Sequence, residues 1–437
     1  MGVGEVLSRR AFLGRAAVGA FGLLTLPACG PGGPGHGVGP GALDVWVWQD
    51  AADKVQQAAV DRFNASGAGR ARLNRVPGDG YEDKLRVAIG SSKAPDVFFN
   101  WGGASVKEYA DAGELLDLTP MLQADTAFGK AFLPSVLQAG MVGDRYYGIP
   151  MRGTQPVLVF YNKAVFADAG VSPPETWDDV TALIAIFTEQ GVTPFALAGA
   201  DAWAELMWLE YLVDRFGGPG VFERVKNGDV RGWRDPAVLR AAKAVVDLIE
   251  RGAFGHSFSA VGYNAGGASA LLSRGRAAMQ LMGSWEYANQ LAADPEFARG
   301  RLGWTTFPTV TDGRGDPDAV VGNPNNFWSV TAGVRDPEAA FAFLRTAAED
   351  AYAADLVGQG AVPTTTDAAS FLDRSADPAF ARFQYDLVQR ASTFTVSWDQ
   401  ALPSAQATGM LTLIRKLFAA QLAPAELVEA LTALPRG

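Results

Sequence analysis

The spacing of apolar residues changes several times along the chain, and each change marks an element. LDVWVWQ (43–49) reads as a strand. The next segment, DAADKVQQAAVDRFNAS, has helical spacing at Val55, Ala59, Val60 and Phe63, and ARLNRVP (71–77) is strand-like again. YEDKLRVAIGSS follows as a helix and APDVFFN (94–100) as a strand. The order restarts near residue 150. QPVLVFYN (155–162) is a predicted strand and PETWDDVTALIAIFTEQG a helix entered through Pro and closed by Gly191. TPFALAG follows as a strand, then helices over 201–215, 235–251 and 265–274. Gly275 stops the last of these, and AAMQLMGSW (277–285) runs as a buried strand. Strand, helix and strand in short repeats predict an α/β fold built on mostly parallel sheets flanked by helices. Two such units without a Pro-rich linker between them predict two lobes with several crossovers.

The first 41 residues break this pattern. Arg9, Arg10 and Arg15 precede an apolar run of 11 residues, Ala16 to Leu26, and small residues lead into Cys29. That layout is an export signal, and the run is too short for a membrane-spanning helix, which needs about 20 residues. Ser8-Arg9-Arg10-Ala11-Phe12-Leu13 resembles the twin-arginine export motif, with Gly14 where lysine is common. Leu26-Pro27-Ala28-Cys29 resembles a lipobox. These resemblances imply cleavage before Cys29 and lipidation of its thiol, which makes the protein membrane-attached through that lipid. Residues 30–41 are almost entirely Gly and Pro, a tether with no apolar surface to bury.

Composition narrows the chemistry. The chain carries a net charge of −10, and removing the net +2 of residues 1–28 leaves about −12, which disfavours nucleic acid and a basic membrane-binding face. Cys29 is the sole cysteine, so no disulfide and no cysteine nucleophile are expected. His36, in the tether, and His256, in a predicted loop, are the only histidines, which removes most zinc sites and serine–histidine triads. No metal and no cofactor are expected. TDGRGDPD (311–318) lacks the spacing of a calcium loop and reads as a hairpin turn between two strands. GHGVGPG has neither a preceding strand nor a following helix, and no phosphate-cradling loop ends in Lys-Ser or Lys-Thr.

Four stretches in a fixed order, YNKAVFADAGVSPPETWDDV (161–180), RGRAAMQLMGSWE (274–286), VVGNPNNFWSV (320–330) and LIRKLFAAQLAPAELVEAL (413–431), resemble the carbohydrate-type family 1 of extracellular solute-binding proteins. The resemblance covers essentially the whole chain after the signal. It implies a two-lobed periplasmic-binding-protein-like fold with a ligand cleft between lobes. Lobe I is expected over 42–149 plus about 304–350, and lobe II over about 150–303 plus about 351–437. It further implies a monomeric receptor that binds a neutral carbohydrate and delivers it to the permease subunits of an ABC importer at the outer face of the cytoplasmic membrane. The importer's ATPase is then a separate chain.

Ligands of open α/β sheets bind beyond the carboxyl ends of strands. Three predicted strand ends carry a tryptophan beside a hydrogen-bonding group: Trp48 with Asp50, Trp101 with Asn100, and Trp285 with Glu286. A pyranose presents an apolar C–H face to a flat ring and a rim of hydroxyls to polar groups, so this pairing suits a sugar. Trp46 and Trp48 share one strand face by the two-residue period. With Trp46, the residues Trp177, Trp208, Trp233 and Trp304 are expected in the core. Position within the family pattern adds Trp203, Trp398, Asp399 and Arg152 as ligand contacts. Asn325, with Asn323 and Asn326, either lines the cleft or builds the turn that Pro324 suggests; Tyr81 is of the same standing. The wealth of tryptophan favours a di- or oligosaccharide, with a polyol or sugar phosphate as the alternative ligand. A secreted glycoside hydrolase is the competing reading, because Asp50, Glu286 and Asp399 would also suit sugar cleavage. An adhesion or sensor module that binds sugar without closing is the third.

Overall fold

The computed structural model describes residues 41–77, 80–263 and 266–435. The export signal, Cys29, His36 and most of the tether lie outside them. The strands are β1 (Ala42–Trp48), β2 (Arg70–Val76), β3 (Val97–Asn100), β4 (Met141–Val142), β5 (Arg145–Tyr146), β6 (Ile149–Pro150), β7 (Gln155–Asn162), β8 (Thr193–Phe195), β9 (Ala277–Gly283), β10 (Leu302–Thr305), β11 (Val320–Asn323), β12 (Phe327–Val330) and β13 (Phe394–Val396). The helices that matter for the site are α1 (Asp53–Ser66), α2 (Tyr81–Ala88), α3 (Gly103–Asp111), α4 (Trp177–Glu189), α5 (Ala202–Gly217), α6 (Pro236–Glu250), α7 (Ala268–Ser273), α8 (Trp285–Ala293), α9 (Asp350–Gly358), α10 (Trp398–Ala401) and α11 (Ser404–Phe418).

Local chemistry explains the elements. In α4, Thr176 and Asp179 cap each other's backbone N–H, and the buried Val180, Leu183, Ile184 and Phe187 fall on one face at helical spacing. In α1 the predicted Val55, Ala59, Val60 and Phe63 are the buried stripe, and Gly67 ends the helix at φ 78°, a left-handed conformation that favours glycine. TPFALAG is a strand only over Thr193–Phe195, after which the backbone turns toward α5.

Two sheets organise the molecule. The first runs β2-β1-β3-β12-β6 and the second β13-β11-β7-β9-β8, with β10 also on β7. Each has its own core, one centred on Val45, Val47, Phe98 and Trp328, the other on Leu158, Phe160, Met279 and Leu209. The result is an α/β fold with two sheet-containing lobes. The parallel pairing predicted from the sequence holds for β1 with β2 and β3, and for β8 with β9. The strands next to a crossing, β7 and β12, run antiparallel to their neighbours because they enter from the other lobe.

The chain leaves the first sheet after Pro150, returns to it at Phe327 and is back in the second by Phe394. The expected return near residue 304 is therefore displaced: β10 and β11 both lie on β7 in the second sheet. They pair with successive parts of β7 and not with each other, so 311–318 is a long loop and not a hairpin turn. Arg215 holds it by donating to the carbonyls of Asp316, Pro317 and Ala319. The expected switch to lobe II at 351 also shifts. Helix α9 packs on α1 of the first lobe through Tyr352 and Leu356 against Val55 and Ala59, with an Arg62–Asp355 ion pair at 2.6 Å.

Candidate functional site

The loops at the ends of β1 and β3 gather one aromatic cluster in the first lobe. Trp48 and Trp101 meet edge to face at 5.1 Å, and Phe99 lies 4.8 Å from Trp101. Trp48 and Trp101 are both half-buried. Tyr81, at the start of α2, completes the cluster 5.7 Å from Trp101. It is a support and not a ligand contact: it is 0% exposed, its hydroxyl donates to the Phe99 carbonyl at 2.6 Å, and burial drives its pKa well up.

The turn after β3 depends on Asn100. Its carboxamide oxygen accepts from the Gly102 N–H at 2.9 Å, and its nitrogen donates to Ser329 Oγ and the Phe327 carbonyl. With these bonds made inside the protein, the expected ligand role of Asn100 gives way to a structural one. Gly102 (φ 75°) and Gly103 (φ 59°) both need left-handed backbone, and a Cβ on Gly103 would come within 2.6 Å of the Gln400 carbonyl. The segment carrying Trp398–Gln400 thus packs directly against the turn that presents Trp101.

Arg152, at the crossing between lobes, pairs with Asp50 through two hydrogen bonds, Nη1 to Oδ2 at 2.6 Å and Nη2 to Oδ1 at 3.1 Å. Its guanidinium also lies 4.9 Å over the Phe99 ring. This is a bidentate pair with a buried arginine and a part-exposed carboxylate, not a loose surface one. Asn325 serves the same crossing. Its carboxamide accepts from the N–H groups of Met151 and Arg152, and donates to Thr364 Oγ1. At 0% exposure it builds the turn and does not line a cleft.

In the second lobe, Trp203 opens α5 and Trp285 opens α8, both half-buried, with ring centroids 6.3 Å apart. Gly283 makes the Trp285 position accessible, since a Cβ there would overlap the indole at 1.9 Å. Tyr263 stands edge-on to Trp203 at 5.2 Å. Its N–H donates to Asp201 Oδ2 at 2.7 Å, and its hydroxyl donates to Glu286 Oε2 at 2.9 Å and accepts from Asn289. The pKa of Tyr263 is raised by burial first, then by the Glu286 charge, with a further contribution from Asp50 of the opposite lobe. The Asp50 charge thus reaches Tyr263 from the other lobe.

Glu286 is 0% exposed, and both of its oxygens are taken: Oε1 accepts from Gln290, and Oε2 from Tyr263 and Ser269. The expected direct ligand contact is therefore replaced by a network, and burial lifts the Glu286 carboxyl to about 7.

The tail divides. Trp398 is 1% exposed, stacked 4.8 Å from Phe222 and 5.3 Å from Trp233, so its indole belongs to the lobe II core and not to a platform. Large apolar neighbours on both sides outcompete an open position. Asp399 is half-buried; its Oδ1 is enclosed without a partner, and its charge raises the pKa of Glu82 on α2, after desolvation. Among the expected core residues, Trp46, Trp208 and Trp233 are buried, while Trp177 and Trp304 are half-buried against the core. His256 is exposed in a loop.

Tyr263 and Asp201 escaped the sequence reading. Tyr263 follows a short 3-10 turn (Phe258–Ala260) and no strand, so a search of strand ends passes over it. An aromatic beside glycine in VGYNAGG is the signal that was there to find. An open depression along α4, lined by Ile184, Thr188 and Arg251, has no aromatic platform and no tie to this cluster. Among the described residues no group of His, Cys, Asp and Glu could hold a metal ion, and no helix is long and apolar enough to cross a membrane.

Comparison with known proteins follows the same lines. A family model described as bacterial extracellular solute-binding protein matches residues 47–354. The diacetylchitobiose binding protein DasA of Streptomyces coelicolor is 25% identical over 80% of this chain and 81% of its own. An uncharacterized ABC transporter extracellular-binding protein of Pyrococcus horikoshii is 29% identical over 56% of this chain; the match spans just over half, 55%, of that relative's length. Among solved structures, a chitin oligosaccharide binding protein superposes with a TM-score of 0.79 and 26% identity, covering 90% of this chain and 97% of its own. A structure from work on xylan utilization by the thermophilic bacterium Caldanaerobius polysaccharolyticus gives 0.82 and 25%, covering 90% and 99%.

Proposed function

Since the chain belongs to the family of bacterial extracellular solute-binding proteins, we propose that it captures a neutral di- or oligosaccharide between its two lobes and delivers it to the permease of an ABC importer. One observation carries this reading: half-buried indoles stand at matching loop ends of both lobes, Trp48 and Trp101 on one, Trp203 and Trp285 on the other, with Asp50 beside the first pair and Tyr263 against the second. Rings of this kind cover the C–H faces of pyranoses, while Asp50, Asp399 and backbone groups meet their hydroxyls. Each stack that removes roughly 80 Å² of apolar surface from water contributes about 2 kcal/mol. Two stacks and a few hydrogen bonds, less several kcal/mol for lost ligand freedom, reach about −8 kcal/mol, the range of micromolar binding.

The lobes then act as jaws. A sugar that touches both walls favours the closed arrangement by its differential affinity for it. Oligosaccharide-binding relatives support the substrate class, DasA and the chitin oligosaccharide binding protein among them. The receptor works as a monomer, without cofactor or metal, tethered to the outer face of the membrane by lipid on Cys29. A receptor is favoured over a hydrolase by the state of two of the three carboxylates: Asp50 carries its charge against Arg152 and Glu286 is enclosed by three protein donors, so neither stands as a free acid to pair with Asp399.

A thermal-shift panel of neutral di- and trisaccharides, diacetylchitobiose and xylobiose included, tests the reading. A sugar at a hundred times its Kd stabilises by about 2.7 kcal/mol. Absence of any shift across the panel, or turnover of labelled oligosaccharides, would sink it.

A further inference from the structure

We propose that Glu286 is a positioning residue of the sugar site: its carboxylate holds Tyr263, and through it Trp203, as the lobe II wall, and sugar affinity is thereby linked to pH. The inference rests on the proposed sugar-binding function and adds the regulation of that same site.

The geometry is that of a carboxylate meeting three donors. Ser269 Oγ on α7 and the Tyr263 hydroxyl donate to Oε2, each at 2.9 Å, and Gln290 Nε2 donates to Oε1 at 2.6 Å. Gln290 also donates to the Ser269 carbonyl at 2.8 Å, which fixes α7 to α8. Tyr263 is pinned at two further points, by Asp201 at its N–H and by Asn289 at its hydroxyl. Its ring in turn abuts Trp203. Both Glu286 oxygens already accept from protein donors and the side chain is 0% exposed, so its effect on a sugar passes through Tyr263.

Three donors suit an ionised carboxylate. A proton on Glu286 turns one oxygen into a donor, and at least one of the three partners must reorient. Burial places this event at about pH 7. Other charges bear on the network only at its edges. Asp50 acts on Tyr263 from lobe I, and Asp201 holds its backbone. Glu205, farther along α5 from Trp203, faces the charge of Arg415 on α11. Arg274 and Arg276 beyond α7, and Glu296, Arg299 and Arg301 beyond α8, are exposed, and Asp294 at the end of α8 is half-buried.

The test compares the wild type with Glu286→Gln and Tyr263→Phe in two measurements from pH 5.5 to 9. First, tryptophan emission of the sugar-free protein is expected to change with a midpoint near neutrality in the wild type and to lose that step in Glu286→Gln. Second, the affinity for diacetylchitobiose, or for whichever panel sugar binds, is expected to fall about tenfold from pH 8.5 to 6 in the wild type, the difference between a charged and a neutral hydrogen bond. It is expected to be weaker and flat with pH in Glu286→Gln, with Tyr263→Phe weakened at pH 8.5. An emission step near pH 7 that survives in Glu286→Gln after Glu205, which titrates at about 8 two residues from Trp203, has also been changed to Gln, or a wild-type affinity unchanged with pH, overturns the proposal. If the step behaves as expected while no sugar binds, the network stands and the sugar reading falls; if sugar binds equally in all three proteins, the reverse holds.

Discussion

Trp398 and Phe222 stack nearly face to face, 4.8 Å between centroids at 14°, while Trp285 meets Trp203 at 6.3 Å and stays half-buried. Two tryptophans that the sequence offered on different grounds as ligand contacts, Trp285 at a strand end and Trp398 by position in the family pattern, therefore have different duties. Trp398→Ala is expected to cost about 3–5 kcal/mol of stability, as for other large buried aromatics, and to leave the affinity of the folded fraction close to wild type. Trp285→Ala is expected to do the opposite, weakening sugar binding about thirtyfold, the equivalent of one lost 2 kcal/mol stack, with a small effect on unfolding. Urea denaturation and calorimetric titration on both variants check the contrast; equal losses of affinity would return Trp398 to the site.

The Asp50–Arg152 pair predicts a coupling between stability and closure. Arg152 is 5% exposed and grips both carboxylate oxygens, so Arg152→Ala leaves Asp50 without its cation and is expected to cost on the order of 3 kcal/mol. Arg152→Lys keeps the charge but loses the two-pronged geometry, and should recover only part of that. Because Arg152 sits at the crossing between the sheets, the alanine variant is also expected to show a smaller compaction with sugar in X-ray scattering. Full compaction at unchanged stability contradicts the role assigned to the pair.

How much of this could be read from the sequence differs by residue. The strand ends were legible: the period change after LDVWV and DVFF marks where the backbone leaves the sheet, and Trp48 and Trp101 do converge there. What one-dimensional adjacency cannot tell is whether a polar neighbour is already satisfied. Asn100 and Glu286 each sit beside a candidate ring and Asn325 beside a turn proline, yet their polar atoms turn inward to protein groups, many of them far along the chain, such as Ser329 or Met151. The same blindness affected β10 and β11. Their proximity in sequence suggested a hairpin, but β7 is long enough at eight residues to pair with both end to end.

Asn325 offers a test of how the crossing is built. Its carboxamide oxygen is the acceptor for the Arg152 N–H, whereas the Met151 N–H also has the Asn326 carbonyl at 2.9 Å. Asn325→Ala therefore strands one buried N–H outright, at a cost of about 1–3 kcal/mol. Hydrogen exchange should register this locally, as faster exchange at Arg152 with little change at Leu158 in the core of the second sheet. Uniform acceleration over both sheets would mean that Asn325 supports global folding and not the crossing.

Glu205 governs the last prediction, because it is enclosed in lobe II with one oxygen unpartnered and only the distant charge of Arg415 in its favour. Burial raises its carboxyl from the ordinary 4.5 to about 8, so the folded protein holds a proton that the unfolded chain releases near pH 4.5. Between those two values the native state binds more protons than the unfolded state, and stability falls as pH rises. The contribution is complete below about pH 4.5 and is lost by about pH 8. Glu205→Gln is neutral at every pH and is expected to remove this slope: its Tm should exceed the wild type's by a few degrees at pH 8.5, where each kcal/mol moves a protein this large by roughly 2–4 °C, and by much less at pH 5. A Tm difference that is the same at both pH values would show that Glu205 is ionised throughout, with Arg415 pairing it more strongly than the buried geometry implies.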